Sequence, residues 1–202
     1  MINAPYKGGK DFDPVPAGNH IARCYQIIHV GTVPGEYMGQ PIMTNKVRFT
    51  FELPNETKIF KEGDAPKPFS ISQEYTLSMG EKSNLRKAIQ GWIGTSLLKE
   101  EAEFFDVEEM IGKPCMLNVV HKTSKKGSVY ALVQGIAPIP KGIEAPAQIN
   151  PSKIFNYTNH FDQATFDALP KFLKEVMEKS EEYKALKNPM QDGEVNPDEI
   201  PF

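Results

Sequence analysis

The segment Lys46-Val-Arg-Phe-Thr-Phe-Glu-Leu53 alternates polar and apolar side chains without interruption. Successive side chains of a β-strand point to opposite faces of a sheet, so this alternation predicts a strand. The apolar face, from Val47 to Leu53, is expected to lie in the core together with Phe69 and Trp92. The other face, from Lys46 to Glu52, is expected to be basic and polar and to face solvent.

Four further segments show the period-two pattern on either side of this one. They are Gly18–Val30, Phe69–Met79, Pro114–His121 and Ser128–Ile136. The Gly- and Pro-rich segment Gly31–Gln40 is expected to be a loop between the first two strands, and Lys122–Gly127 a tight turn between the last two. The chain before Gly18 is expected to be an irregular lead-in.

Helical spacing appears between the third and fourth strands, where apolar residues recur from Leu85 to Ile93. Ser83 is a suitable N-cap for this helix and Gly94 a suitable stop. A short helical turn is expected near Phe104–Met110, and an amphipathic helix from Leu169 to Leu186.

The predicted order of elements is strand, strand, strand, helix, strand, strand. This order is typical of the OB-fold, a five-stranded, partly open Greek-key barrel with a helix between strands 3 and 4. The fold class is therefore predicted to be an all-β core followed by a C-terminal helix and a tail. We divide the chain into an OB-fold nucleic-acid-binding domain (1–147), a linker with the amphipathic helix (148–187) and an acidic disordered tail (188–202).

The net charge of −3, from 23 basic and 26 acidic residues, is unevenly distributed. Up to Ala147 there are 17 Lys and Arg against 16 Asp and Glu, a balance of +1. From Gln148 onward there are 6 against 10, a balance of −4. A near-neutral domain with local basic patches is compatible with nucleic-acid binding, which the total charge alone would argue against.

Neither a signal peptide nor a membrane span is expected, because the sequence holds no long apolar run. The expectation is a soluble, intracellular protein. Cys24 and Cys115 are expected to be reduced, buried and apolar in character. Cys24, Cys115, His20 and His121 are the residue types that bind zinc, but they do not show the close CxxC or HxxxH spacing of zinc motifs. Neither a metal nor a cofactor is therefore predicted.

Single-stranded nucleic acid requires cations for its phosphates and aromatic faces for its unstacked bases. The first two strands and their loop offer both kinds of side chain, and the predicted turn between strands 4 and 5 offers lysines. The candidate DNA-binding residues are Arg23, Tyr25, Tyr37, Lys46, Arg48, Lys122, Lys125 and Lys126. An ordinary solvated strand face and a polar turn are the alternatives for these lysines and arginines.

The chain ends in Asp198-Glu199-Ile200-Pro201-Phe202. This ending resembles the acidic tip of bacterial single-stranded-DNA-binding proteins, in which acidic residues run into a terminal Ile-Pro-Phe. The resemblance implies a docking site for host or phage replication proteins: Phe202 would enter an apolar pocket, and the carboxylates would meet a basic rim. Because Asn196-Pro197 replaces part of the acidic run, the tip is less charged than is usual in that family.

The body resembles phage-encoded single-stranded-DNA-binding proteins of OB type. The similarity lies in Ala4-Pro-Tyr-Lys-Gly-Gly-Lys10, Tyr75-Thr-Leu-Ser-Met-Gly-Glu-Lys-Ser-Asn-Leu-Arg-Lys87 and Val120-His-Lys-Thr-Ser-Lys-Lys-Gly127. It implies a protein that coats and protects single-stranded DNA, without strong sequence preference, during phage DNA replication and recombination in the cytoplasm of the bacterial host cell. The sequence leaves open whether the chain forms a homo-oligomer.

Two other functions compete with this one. A metal-dependent nuclease would use carboxylates and a lysine such as Glu52, Glu56 and Lys58, but no further acidic position completes such a set, so no enzyme is predicted. A phage structural or adaptor protein could use the same small barrel for protein contacts alone, because a fold does not determine a function. The C-terminal tip favours the DNA-binding alternative.

Overall fold

The computed structural model describes residues 13–158 and 161–188. The protein is mostly β, with six strands in one antiparallel sheet and a few short helices. The strands are β1 (Gly18–Tyr37), β2 (Gln40–Lys58), β3 (Lys67–Thr76), β4 (Pro114–Thr123), β5 (Val129–Ala137) and β6 (Lys153–Phe155). The helices are α1 (Asn84–Ile93), α2 (Lys99–Glu103), α3 (Gln163–Asp167), α4 (Lys171–Met177) and α5 (Glu181–Lys187), with a 3-10 turn at Val107–Met110.

The strand order in the sheet is β3-β2-β1-β4-β5, and β6 pairs with β1. Strand β4 therefore returns, after a long connection that holds α1 and α2, to lie beside β1. Four strands in the order 4-1-2-3 form a Greek key. The predicted β core with a helix between its third and fourth strands is confirmed. Among the described residues the sheet is not closed into a barrel.

The prediction of a loop at Gly31–Gln40 is wrong. Strand β1 continues to Tyr37, and the chain reverses over Met38 and Gly39, whose φ angles are 51° and 77°. A two-residue turn with both φ angles positive matches the twist of a β-hairpin, so β1 and β2 pair directly. Val33, in the middle of the supposed loop, is buried.

Helix α1 begins and ends where the sequence predicted. The Ser83 hydroxyl accepts a hydrogen bond from the Arg86 N–H at 3.2 Å, as an N-cap does. Gly94 adopts the left-handed conformation, with φ at 74°, and its N–H donates to the Gln90 carbonyl at 2.9 Å. A residue with a Cβ would be strained there, so glycine ends the helix at little cost.

The predicted helix Leu169–Leu186 is two helices, α4 and α5, separated at Ser180. The Ser180 hydroxyl is buried and caps α5 by accepting from the Tyr183 N–H at 3.1 Å. Strand β6 and helix α3 lie in the predicted linker region and were not predicted. The predicted disordered tail, apart from Asn188, and most of the N-terminal lead-in lie outside the described residues.

The described chain forms two compact units. Unit 1 comprises the chain up to Gln26, Phe49–Gln73 and Ser78–Lys153; unit 2 comprises Ile27–Arg48, Glu74–Leu77 and the chain from Ile154 onward. The predicted division at residues 147 and 187 stays a prediction.

The core of unit 1 is built on aromatic side chains, as the alternation predicted. Phe49, Phe51, Phe69 and Trp92 are all buried, and the Phe51 and Trp92 ring centroids are 5.2 Å apart. The Trp92 indole donates to the Pro114 carbonyl at 2.9 Å, so its polar atom is satisfied inside the core. Cys24 and Cys115 are buried and not bridged, and burial raises the pKa of the Cys24 thiol to about 12.

Unit 2 has a separate apolar core. Its buried members are Ile28, Val30, Val33, Phe155, Phe166, Leu169, Leu173 and Met177. A polar latch fixes α5 to β1: the Glu182 carboxylate accepts from the Thr32 N–H at 2.7 Å and from the Thr32 hydroxyl at 2.8 Å. Ser180 donates to the Tyr157 hydroxyl at 3.3 Å beside it.

Candidate nucleic-acid interface

The hairpin formed by β4 and β5 in unit 1 brings together three of the predicted DNA-binding residues. Lys122, the last lysine of β4, lies directly opposite Tyr130 of β5. Lys125 and Lys126 are exposed in the intervening turn. The turn is ordered by its own hydrogen bonds, since the Ser128 N–H donates to the Ser124 hydroxyl at 3.1 Å and the Gly127 N–H to the Ser124 carbonyl at 2.9 Å.

The two faces of this hairpin differ. Val119 and Val133 pair across the strands and are buried, so their face belongs to the core. Lys122 and Tyr130 lie on the opposite face, because side chains alternate along a strand. Tyr130 is 45% exposed. Directly opposite residues on one face have Cβ atoms about 5 Å apart, so the lysine and the phenol ring are neighbours.

The electrostatics of the hairpin are uniformly positive. The segment from Lys122 to Tyr130 contains three lysines and no acidic residue. Phosphate groups are therefore attracted along the whole turn, while Tyr130 offers a ring on which an unpaired base can stack. Tyr130 was not predicted as a site residue. The period-two pattern that places Val133 in the core places Tyr130 on the opposite, exposed face, and this pattern could have identified Tyr130 from the sequence.

The outer face of β1 and β2 in unit 1 is covered by residues 145–150 of the same chain, which we call the strap. Arg23 donates to the carbonyls of Pro146 at 2.6 Å and Ala145 at 3.5 Å, and also to the carbonyl of Gly112 at 2.9 Å. The guanidinium that was predicted to bind phosphate thus holds the chain's own backbone. Its structural contacts make Arg23 the least suitable of the predicted site residues.

Glu52 is the second anchor of the strap. Its carboxylate accepts from the Ile149 N–H at 2.5 Å, the Asn150 N–H at 2.7 Å and the Asn150 side-chain amide at 2.5 Å. Glu52 is fully buried and Thr50 is also buried. The expectation that this side of β2 faces solvent is therefore wrong at these two residues. The strap lies on Glu52, whereas the Thr50 hydroxyl contacts Gln26 at 3.2 Å and Ser72 at 3.0 Å.

Tyr25 is half-buried, and its hydroxyl donates to the Ser70 hydroxyl at 3.5 Å. The remaining predicted site residues belong to unit 2. Lys46 and Arg48 are half-buried, and Arg48 pairs with Glu74 at 2.7 Å. The Arg48 guanidinium also lies 5.5 Å from the centre of the Phe172 ring. These contacts compete with a phosphate for the arginine.

Tyr37 is exposed at the end of β1. Met38, Ile42 and Met43 are exposed with it, so the tip of this hairpin is apolar rather than basic. The residues of the C-terminal tip, Asp198 to Phe202, lie outside the described part of the chain.

The discarded metal sets gain no support from the described residues, among which no three His, Cys, Asp or Glu side chains are placed to hold a metal ion. Glu56 lies 3.3 Å from the His20 ring, and Lys58 pairs with Asp13, so both have other partners than Glu52. None of the described helices is long and apolar enough to span a membrane.

Comparison of the sequence with protein-family models finds no match, and no curated protein matches it either.

Proposed function

We propose that the protein binds single-stranded DNA without strong sequence preference, as the phage proteins that it resembles do. The observation that carries the proposal is the β4–β5 hairpin. Lys122 lies near the end of β4 opposite Tyr130, Lys125 and Lys126 lie in the turn, and the turn contains no carboxylate. The hairpin thus offers cations for the phosphates and an exposed aromatic ring for the bases of an unpaired strand.

The sheet topology supports an OB-type assignment. The described sheet has a Greek-key order, and its longest connection, which contains helices, lies between the third and fourth strands. Such a fold requires this arrangement. In OB-folds the loop between strands 4 and 5 contributes to oligonucleotide binding. The hairpin therefore lies where the proposed fold would use it.

The test is a salt titration of fluorescent oligo(dT) binding, compared between the wild type and the Lys122→Ala, Lys125→Ala, Lys126→Ala triple variant. Each phosphate contact contributes about 0.7 to the slope of log K against log salt concentration for single strands, so the variant should lose about 2 units of slope. The control is Lys82→Ala, Lys87→Ala, Lys113→Ala, which removes three exposed lysines of the same unit and changes the total charge equally.

An unaltered slope in the hairpin variant, or an equal loss in the control, would remove the hairpin from the site. No measurable binding by the wild type at about 50 mM salt, where electrostatic binding is strong, would refute the function itself. It would favour the alternative of a phage structural or adaptor protein. That alternative has one observation on its side, the exposed apolar tip at Tyr37 and Met38.

The role of the C-terminal tip is a second part of the proposal. Asp198 to Phe202 would dock to host or phage replication proteins. Deleting Ile200 to Phe202 should leave oligo(dT) binding intact and abolish pull-down of a replication partner. Retained pull-down would reject the docking role.

A further inference from the structure

The connection between β2 and β3 in unit 1 exposes an aromatic side chain that no predicted site includes. Phe60 is 45% exposed. Its ring meets that of Phe69 edge to face, with centroids 5.3 Å apart and planes at 73°. Phe69 is buried on β3, so one side of the exposed ring rests against the core. A ring held in this way loses little conformational freedom when a flat ligand stacks on it.

The topology brings Phe60 to the same end of the sheet as the basic hairpin. Strands β1 and β2 are joined by a two-residue turn, so the end of β2 lies beside the start of β1. On the other side of β1, Gly18 pairs with Val119 near the end of β4. The β2–β3 connection and the β4–β5 turn thus leave the sheet at one end. Across the sheet they are separated by two strand spacings, or about 10 Å, and β4 extends from Val119 to Thr123 before its turn.

The charges near Phe60 are compatible with a nucleic acid. Lys58 pairs with Asp13, and Lys67 with Asp64 at 3.1 Å. Lys61, directly after Phe60, is exposed and makes no ion pair within the described residues. The whole segment from Lys58 to Lys67 has three basic and two acidic residues, so its net charge is positive.

Phe104 is the natural comparison, because it is 84% exposed in the same unit. It lies in a strongly acidic segment. Between Lys99 and Glu109 the chain carries one basic residue and six acidic ones. Phosphates are repelled from such a surface, so exposure alone does not make an aromatic side chain a platform for a base.

We propose that Phe60 is a stacking platform for an unpaired base, and that single-stranded DNA crosses the end of the sheet from the β4–β5 hairpin to the β2–β3 connection. The inference rests on the proposed DNA binding and extends it to a second element. The ligand is a base of any identity, because every base presents a π-face. Lys61 would meet a phosphate next to the stacked base.

The test uses Phe60→Trp, with Phe104→Trp as the matched control. The one native tryptophan, Trp92, is buried and contributes the same background to both variants. Oligo(dT) binding is followed by anisotropy of a labelled strand, and stacking by quenching of the tryptophan fluorescence. We expect quenching in Phe60→Trp that saturates together with the anisotropy, and none beyond the wild-type background in Phe104→Trp.

A second variant, Phe60→Leu, keeps an apolar side chain at the site but has no ring. Its Kd for oligo(dT) should rise about 5- to 150-fold, the range for loss of one base stacked on an aromatic side chain. Thermal unfolding of the variant verifies that it is folded. Full binding of Phe60→Trp without quenching, together with unchanged affinity of Phe60→Leu, would overturn the platform and leave the proposed function standing. Absence of binding in the wild type as well would overturn both.

Discussion

Replacing Glu52 with glutamine tests how strongly the strap is held on the sheet. The carboxylate is fully buried and accepts three hydrogen bonds, from the N–H of Ile149, the N–H of Asn150 and the Asn150 side-chain amide. Glutamine has nearly the same shape, so Glu52→Gln leaves the packing intact. It removes the charge and places an NH₂ group where one oxygen accepted hydrogen bonds from Asn150.

The expected cost follows from these three contacts. A hydrogen bond to a charged group contributes about 1.5–3 kcal/mol, and a buried donor left without a partner costs about 1–3 kcal/mol. The remaining amide oxygen still accepts from Ile149, so one contact is largely kept. Rotation of the glutamine side chain relieves part of the conflict at Asn150. We therefore expect Glu52→Gln to lower the free energy of unfolding by about 3 kcal/mol.

The assay is urea denaturation at pH 7, followed by the fluorescence of Trp92 in the core of the same unit. Glu144→Gln is the control, since it removes the same charge from an exposed position just before the strap. Amide hydrogen exchange at Ile149 and Asn150 shows whether the loss is global or is a local detachment of the strap. A cost below about 1 kcal/mol with unchanged exchange protection would refute the reasoning, because the lost charged hydrogen bond alone should exceed it.

Two predictions concern the latch of unit 2. Gly31 has a φ of 92°, and an added Cβ would lie 2.7 Å from Ser180 Cβ. Gly63 has a similar φ of 89° but open space around it. Gly31→Ala should therefore lower the free energy of unfolding by more than Gly63→Ala does. Denaturation measures the difference, and equal losses would show that backbone strain alone matters. Although burial opposes ionisation, the hydrogen bonds from Thr32 hold the pKa of Glu182 below its usual range. Ionised Glu182 therefore stabilises the fold at pH values above its unfolded-state pKa of about 4.3, and this stabilisation is lost as the pH falls through the folded-state pKa. In Glu182→Gln the free energy of unfolding should therefore decrease less between pH 7 and pH 3 than in the wild type.

Local signals in the sequence predicted the elements whose ends are determined locally. Ser83 and Gly94 determine the ends of α1 through contacts within a few residues, and the period-two pattern identified β1 to β5. Long-range contacts determined the features that were missed. The burial of Glu52 depends on Asn150, 98 residues later, and β1 passes through Gly31 because α5 and the unit 2 core pack on it. The hairpin lysines were predicted from composition and element order, whereas the position of Tyr130 opposite Lys122 needed the register of β4 and β5.

The strap also bears on where DNA can bind. If it detached, the uncovered face would present the Glu52 carboxylate, which repels phosphate, and Arg23 would first have to give up three backbone carbonyls. Binding at the hairpin and the β2–β3 connection requires no such rearrangement, because Lys125, Lys126 and Phe60 are already exposed. Glu52→Gln therefore separates the two surfaces. Oligo(dT) affinity should be unchanged in this variant if DNA binds at the end of the sheet, and should increase if DNA competes with the strap for the outer face.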